Sequence, residues 1–370
     1  MKFICFFICC FMVGLTTNAQ NTSFPETSLA VAGLSHGHSH WIFQDEFKGD
    51  YAIVGIYEPN ISLASKYQIQ YGMDSNLFYT NLEEMLDNVK PHGVLAFGSV
   101  YEHLQVVEAA APRGIHVMVE KPLATSWEHA KKMEKAAQDH GIYLLTNYET
   151  SWYPSTEATY QYMLDGDQFG PLKKAVFHHG HKGPQEIGVG PEFLEWLTDP
   201  ILNGGGVLMD FGCYGANIMT YLLEGQLPHS ITAITQNHKP EIYTKVEDEA
   251  TIVLEYDGAQ AIIQASWNWP YDRKDMEVYG TKGYIIAPDK NHIKFRSPQT
   301  NNKLVSTPLR DIITVYSNPF QYFVEVISGK INIPSFGLYS IENNMVVVQI
   351  LEAAKLSVLS GKTVRLPLEK

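Results

Sequence analysis

Between Leu29 and Thr146 the chain alternates short apolar runs with amphipathic ones, and this rhythm constrains the fold more than any other feature of the sequence. Leu29–Gly33, Ala52–Ile56, Gly93–Phe97, Ile115–Val119 and Ile142–Thr146 read as strands. Ile61–Tyr71, Leu82–Val89, Tyr101–Ala111 and a segment capped by Ser126 and running to His140 read as helices. Strands that alternate with helices bury both sheet faces, which predicts a parallel doubly wound sheet. Near residue 150 the rhythm changes. A helix over Thr156–Leu164 and a strand over Lys174–His179 lead to strands in succession: Ser230–Gln236, Ala250–Tyr256, Ala259–Trp267, Met276–Tyr279, Gly283–Ala287 and His292–Arg296. Asp257-Gly258 makes a hairpin turn, so the second part is predicted to be a mainly antiparallel sheet with helices on one side. A helix over Ile341–Leu359 stops at Gly361.

The first twenty residues, MKFICFFICCFMVGLTTNAQ, read as a secretory signal. Lys2 is the charged start, Phe3 to Leu15 the apolar stretch, and Thr17-Asn18-Ala19 a small-residue cleavage site. The apolar run is short for a membrane span. The expected division is residues 1–19 as leader, 20–150 as the doubly wound domain and 151–370 as the domain with the mainly antiparallel sheet. The expected location is the periplasm or outside the cell, with no membrane attachment after cleavage. Cys5, Cys9 and Cys10 leave with the leader. Cys213 then remains alone, which excludes an internal disulfide and a multi-cysteine zinc site. A net charge of −13 without a basic stripe argues against a nucleic-acid partner.

The loop AVAGLSHGHSH, Ala30 to His40, follows the first strand and is expected to open the first helix. Glycine is needed there so that a pyrophosphate can approach the backbone at a helix N-terminus. Gly33 and Gly37 are present, while Ser35 and His38 stand where the strict G-x-G-x-x-G pattern has glycine. His36, His38 and His40 also suit a metal, but phosphate-loop geometry explains the loop better, and no metal is expected. Glu58 ends the second strand at the distance where an acid accepts hydrogen bonds from ribose hydroxyls and repels a 2′-phosphate, which favours NAD over NADP.

HVMVEKPLA places Glu120 and Lys121 at the carboxyl end of the fourth strand, where ligands of such sheets bind. GGGVLMDFGCYGAN, Gly204 to Asn217, carries Asp210, Tyr214 and Asn217 at spacings that put them on one side of a helix. Its three leading glycines imply a backbone that comes close to something. His179 and His181 share a strand face that suits substrate or metal, or is simply part-exposed. Trp267, Trp269 and Tyr271 suit sugar stacking, sheet core or a subunit contact equally.

With these elements the chain resembles the Gfo/Idh/MocA oxidoreductases, and within them the glucose–fructose oxidoreductase branch. The resemblance rests on AGLSHGH, Glu58, FGSVYEH, EKP, the Gly204–Asn217 stretch, VEDEA and VYGTKGYI, and it covers nearly the whole mature chain. It implies NAD held by Gly33, Ser35, His36, Gly37, His38, Glu58, Gly98, Ser99, His103, Glu120, Lys121 and Asn147. It also implies a carbohydrate bound by Trp152, His179, His181 and Asn217. Most relatives have histidine where this chain has Tyr214 and aspartate where it has Asn217; the glucose–fructose branch is similar to this chain at both. Tyr214 is thus expected to be the acid/base, assisted by Lys121, whose charge would lower the phenol's pKa. Asp210 would orient the lysine or the substrate hydroxyl, and Asn217 would support this array. The implied activity is oxidation of a sugar or glycoside hydroxyl, at ring carbon three by resemblance, with the cofactor recycled between sugars. A glycosidase working through transient oxidation, and a sugar-binding protein that has kept the fold, are the alternatives. The open sheet implies a homo-oligomer.

Overall fold

The computed structural model describes residues 27–309 and 312–368. The expected leader lies outside the described residues. The first part runs β1 (Thr27–Ala32), β2 (Tyr51–Tyr57), α1 (Ile61–Tyr71), β3 (Phe78–Tyr79), α2 (Leu82–Val89), β4 (Gly93–Ala96), α3 (His103–Ala110), β5 (His116–Glu120), α4 (Trp127–His140) and β6 (Leu144–Asn147). Its sheet has the order β3-β2-β1-β4-β5-β6 with every pair parallel. The chain passes from β1 outward through β2 to β3 on one side, then crosses back to β4 on the other side of β1, and this reversal opens a crevice at the carboxyl ends of β1 and β4. Local chemistry sets the helix limits. Asn60, Asn81 and Ser126 accept backbone N–H groups at the starts of α1, α2 and α4, and Gly72 and Gly141 end α1 and α4 in the left-handed region.

The expected helix after the first strand is not an α-helix. Gly37–Phe43 is a 3-10 coil, with His36 Nδ1 accepting the His38 N–H at its start. The Ser39 hydroxyl bonds back to the carbonyls of Leu34 and His36 at 3.1 and 2.7 Å, competing with the longer α-type ladder. A short coil aligns few peptide dipoles, so anion binding here falls to the loop backbone rather than to a helix end.

The second part comprises α5 (Pro154–Leu164), β7 (Leu172–Gly180), α6 (Pro191–Leu197), α7 (Val207–Asp210), α8 (Gly212–Leu222), β8 (Ser230–Gln236), β9 (Glu249–Tyr256), β10 (Ala259–Ser266), β11 (Arg273–Gly280), β12 (Tyr284–Asp289), β13 (His292–Arg296), β14 (Val305–Pro308), α9 (Pro319–Ile327), α10 (Ile341–Ser360) and β15 (Val364–Arg365). The sheet order is β14-β13-β12-β11-β7-β10-β9-β8-β15. Only β7 and β10 are parallel neighbours within it. Its inner face, with Ala175, Phe177, Ile252, Leu254 and Ile263, is buried. Helix α8 lies tight on it: a Cβ at Gly215 would stand 2.8 Å from Ile263.

The sequence boundary near residue 150 is not a clean spatial one. Along α10, Met345 and Val348 join an apolar cluster on one face of the first sheet, while Val347, Ile350 and Leu351 join the cluster that runs from the other face of that sheet (Leu29, Val31, Leu95) into the second sheet (Ile252, Leu254, Ile263). Lys355 then donates to the Thr125 carbonyl at 2.8 Å. The last long helix therefore braces both sheets against each other. No helix among the described residues is long and apolar enough to cross a membrane.

Candidate active site

The glycine loop sits at the crevice between β1 and β4. Gly33 has φ 84°, donates to the Tyr57 carbonyl at 2.8 Å, and a Cβ on it would lie 2.7 Å from the Gly98 nitrogen. No other residue fits without displacing backbone. Glu58 accepts the Leu34 N–H at 2.8 Å on one oxygen and the Asn60 N–H at 2.9 Å on the other. It thereby ties the end of β2 to the loop, and burial raises its pKa. Gly33, Ser35, Glu58, Gly98 and His103 line one narrow cleft. There His103 Nδ1 faces the Leu123 carbonyl at 3.1 Å and so carries the proton, leaving Nε2 as a buried acceptor without a partner. Burial lowers the pKa of this ring to about 4 and keeps it neutral. A close backbone approach, an acid at the end of β2 and an orphan acceptor together fit a dinucleotide. Ser99 is not in this lining, and its N–H and hydroxyl both donate to the Glu102 carboxylate.

Further along the crevice, His38 Nδ1 meets Glu120 at 3.0 Å, and the Asn147 amide donates to the same carboxylate at 2.7 Å. Trp152 was expected on the substrate. It instead donates to Asn147 at 3.1 Å and packs against Trp41 and Phe47, outside the cleft lining. The three loop histidines diverge. His36 and His38 place potential ligand atoms within 4.8 Å of each other and of Glu120, whereas His40 bonds Tyr71 and stacks on Tyr67.

A larger cleft of about 510 Å³ lies between this loop and the second sheet. His36, Lys121, His181, Asp210, Tyr214 and Lys274 all face it. Lys121, directly after β5, is ion-paired with Asp210 and also donates to the Asp210 carbonyl at 3.0 Å. Burial opposes both charges, but each stabilises the other: the pKa of Asp210 is lowered and that of Lys121 raised. The second oxygen of Asp210 accepts the Trp267 indole N–H at 2.9 Å. Trp267 is therefore a buried orienting group, while Tyr271 is 82% exposed.

The Lys121 ammonium stands 5.2 Å from the Tyr214 ring centroid. The expectation that it would lower the phenol's pKa is not met. Burial, then the charge of Glu149, raise the Tyr214 pKa well above its ordinary value, and the carboxylate of Asp210 beside Lys121 also acts in that direction. His181 Nδ1 accepts the Gly183 N–H at 2.9 Å, so the neutral ring presents an Nε2–H donor; burial keeps it neutral. His179 lies behind Tyr214, buried and stacked at 5.3 Å, and is not part of the cleft lining.

The Gly204–Asn217 stretch is two helices broken at Phe211; Asp210 and Tyr214 still face one cleft from either side of the break, and Asn217 does not. Asn217 is a correction: it is fully buried and donates to Leu338 and Asn343, away from the cleft. The glycine run approaches protein, not ligand. A Cβ at Gly204 would sit 2.8 Å from the Thr125 carbonyl, and one at Gly206 2.1 Å from that of Glu247. Glu247 of VEDEA accepts the Gly206 and Leu208 N–H groups and so fixes the start of α7.

Sequence reading missed Lys274, its partner Glu149, and the segment carrying Phe193 and Trp196. Glu192 pairs with Lys66 of α1 at 2.8 Å, and Phe193 lies 4.8 Å from His36, so this segment packs over the loop. Strand alternation would have exposed Lys274, which shares the inner row with Met276 and Val278.

Residues 28–148 match the family model described as "Oxidoreductase family, NAD-binding Rossmann fold", and residues 158–286 match "GFO/IDH/MocA C-terminal domain". Among curated relatives, the trans-1,2-dihydrobenzene-1,2-diol dehydrogenase of Xenopus laevis is 28% identical over 53% of this chain and 55% of its own length. The chain thus spans about half of that relative. The aldose–aldose oxidoreductase of Caulobacter crescentus, complexed with glycerol, superposes with a TM-score of 0.76 at 21% identity, over 92% of this chain and 99% of its own. An inositol dehydrogenase homologue of Azotobacter vinelandii, complexed with NAD+, gives 0.77 at 18% identity, over 92% and 97%. These two likenesses establish the fold. The two family-model matches together span more than half of the sequence, and the chain belongs to the Gfo/Idh/MocA family of oxidoreductases.

Proposed function

We propose that this protein is an NAD-dependent oxidoreductase acting on a hydroxyl of a sugar or glycoside. The observation that carries the reading is the convergence of Lys121, Asp210 and Tyr214 on one cleft beside the glycine loop. Gly33, Ser35, Glu58, Gly98 and His103 would hold the dinucleotide. The oxidised nicotinamide, when bound, carries a positive charge and accepts a hydride. Tyr214 takes the hydroxyl proton of the substrate, and Lys121 holds the alcohol oxygen by a charge-assisted hydrogen bond. Asp210, fixed by Trp267, keeps the ammonium in place. His181 donates from Nε2 to a neighbouring oxygen, and Phe193 and Phe211 give the apolar wall that a sugar ring needs. The names of the relatives support a carbohydrate substrate.

The finer reading is export through the leader, oxidation at ring carbon three and a cofactor that stays bound while electrons pass from one sugar to another. The retained cofactor is supported by the segment carrying Phe193 and Trp196, which lies over the loop and is strapped by Lys66–Glu192; export is read from the leader and carbon three from the resemblance. The protein should be dialysed exhaustively and given a glycoside donor and a keto-sugar acceptor without NAD. Coupled conversion of both sugars is expected. A protein silent until NAD is added, and then reducing it over many turnovers, would leave an ordinary dehydrogenase.

Glu58 is read as the group that selects NAD over NADP. Each of its oxygens accepts one backbone N–H and has room for a second donor. Glu58→Ala should narrow the preference about tenfold, the size of a charge-assisted hydrogen bond of about 1.5 kcal/mol. Titration of both nucleotides checks this. Equal affinities in the unmutated protein would mean that Glu58 only closes the loop.

A further inference from the structure

Strand β11 sends Arg273, Asp275 and Glu277 to the outer face of the sheet, and Lys274, Met276 and Val278 to the inner one. Met276 and Val278 are buried, as that helix-covered face demands, so a lysine in the same row is out of pattern. Its side chain is only 26% exposed. The ammonium is ion-paired with Glu149, which comes from the turn after β6 in the first domain and also accepts the Tyr153 hydroxyl at 2.6 Å. Burial opposes ionisation of Glu149, but Lys274 outweighs it and brings the carboxyl pKa down to about 2. In register, Lys274 is opposite His179 of β7, and its ammonium stands 5.4 Å from the Tyr214 ring centroid.

Tyr214 is thus approached by two ammonium groups, Lys121 and Lys274, and by the carboxylates of Glu149, Asp210 and Glu120. The Cys213 thiol adjoins it, and the neutral rings of His179, Tyr148 and Phe211 pack around it. Lys121 is engaged twice by Asp210, through the carboxylate and through the carbonyl. Lys274 has one anchor, and that anchor is itself held by Tyr153.

We propose that Lys274 is a positioning residue for proton transfer at Tyr214: its ammonium stabilises the phenolate, and Glu149 both aims that ammonium and limits how much of its field the phenol receives. The inference rests on Tyr214 being the proton acceptor. It gives the Lys274–Glu149 pair a role that a brace between domains would not have, because its two members act on Tyr214 with opposite sign.

The test is the pH profile of glycoside oxidation at saturating NAD for the full chain and for Lys274→Met, Lys274→Arg and Glu149→Gln. Oxidation requires the acceptor deprotonated, so activity is lost as pH falls through its pKa. Removing the cation makes phenolate harder to form and should move the acid limb up by about one pH unit, with kcat down about tenfold or more and KM little changed. Removing the carboxylate should move the limb down. Lys274→Arg should keep the limb near its original position. Thermal unfolding of each variant monitors folding; if Lys274→Met does not fold, the Arg and Gln profiles decide. Limbs that move in the same direction in Lys274→Met and Glu149→Gln, or do not move at all, would reduce the pair to a structural brace. A raised KM with kcat and limb unchanged would make Lys274 a substrate contact, and either outcome overturns the proposal. Full activity in Tyr214→Phe would instead remove the reading beneath it.

Discussion

Tyr214→Phe is expected to lower turnover by about 100-fold or more, the lower range for loss of a positioned acid/base group, while the protein stays folded. The ring is what packs: Tyr148 meets it edge-on at 5.6 Å, and His179 and Phe211 stack on it at 5.3 and 5.9 Å. Phenylalanine preserves all three contacts and removes only the oxygen. Burial raises the pKa of this phenol well above its ordinary value, so in the free protein it is protonated near neutral pH. Oxidation should therefore speed up as pH rises, because the proton acceptor is the ionised form. The check is kcat together with nucleotide bound per chain. Near-normal turnover at full nucleotide content would take the proton-transfer role away from tyrosine.

Lys121→Met should cost both rate and stability. The ion pair with Asp210 is buried, with each side chain 7% exposed. Removing one partner leaves an uncompensated charge, a loss of about 3–5 kcal/mol. Methionine keeps most of the stem volume, so the loss reports the charge rather than a cavity. Turnover should fall about 100-fold, because the alcohol oxygen loses its cationic donor. The double variant Lys121→Met with Asp210→Asn separates the two effects. Neutralising the stranded carboxylate should restore much of the stability and none of the rate. Urea unfolding and kcat on the three variants measure this. Recovered turnover in the double variant would confine Lys121 to a structural role.

Much of this site is legible in sequence for a definite reason. The strands and helices of the first domain follow apolar periodicity, and helices α1 and α2 have the very limits read from it, Ile61–Tyr71 and Leu82–Val89. Gly33 and Lys121 are found because a strand end in a parallel sheet is a ligand position whatever surrounds it. The short coil after β1 is not legible, because it depends on Ser39 turning back onto Leu34 and His36. Asn217 misleads because its spacing places it one turn beyond Tyr214 on α8 but carries no sign of what covers that turn: Leu338 and Asn343, 121 and 126 residues away, take its amide.

What the sequence by itself determined follows from apolar periodicity and from turn and strand-end chemistry: most strand and helix positions, the sheet type of each half, the glycine loop and the acid that follows it. What only the tertiary structure decided is which charges meet. Lys121 finds Asp210, and Lys274 finds Glu149, across separations of 89 and 125 residues. Those pairings set the sign of the field at Tyr214, which the chain order does not contain. Burial and electrostatic coupling depend on distance in space, and two residues that pack together carry no mark of it in their local sequence.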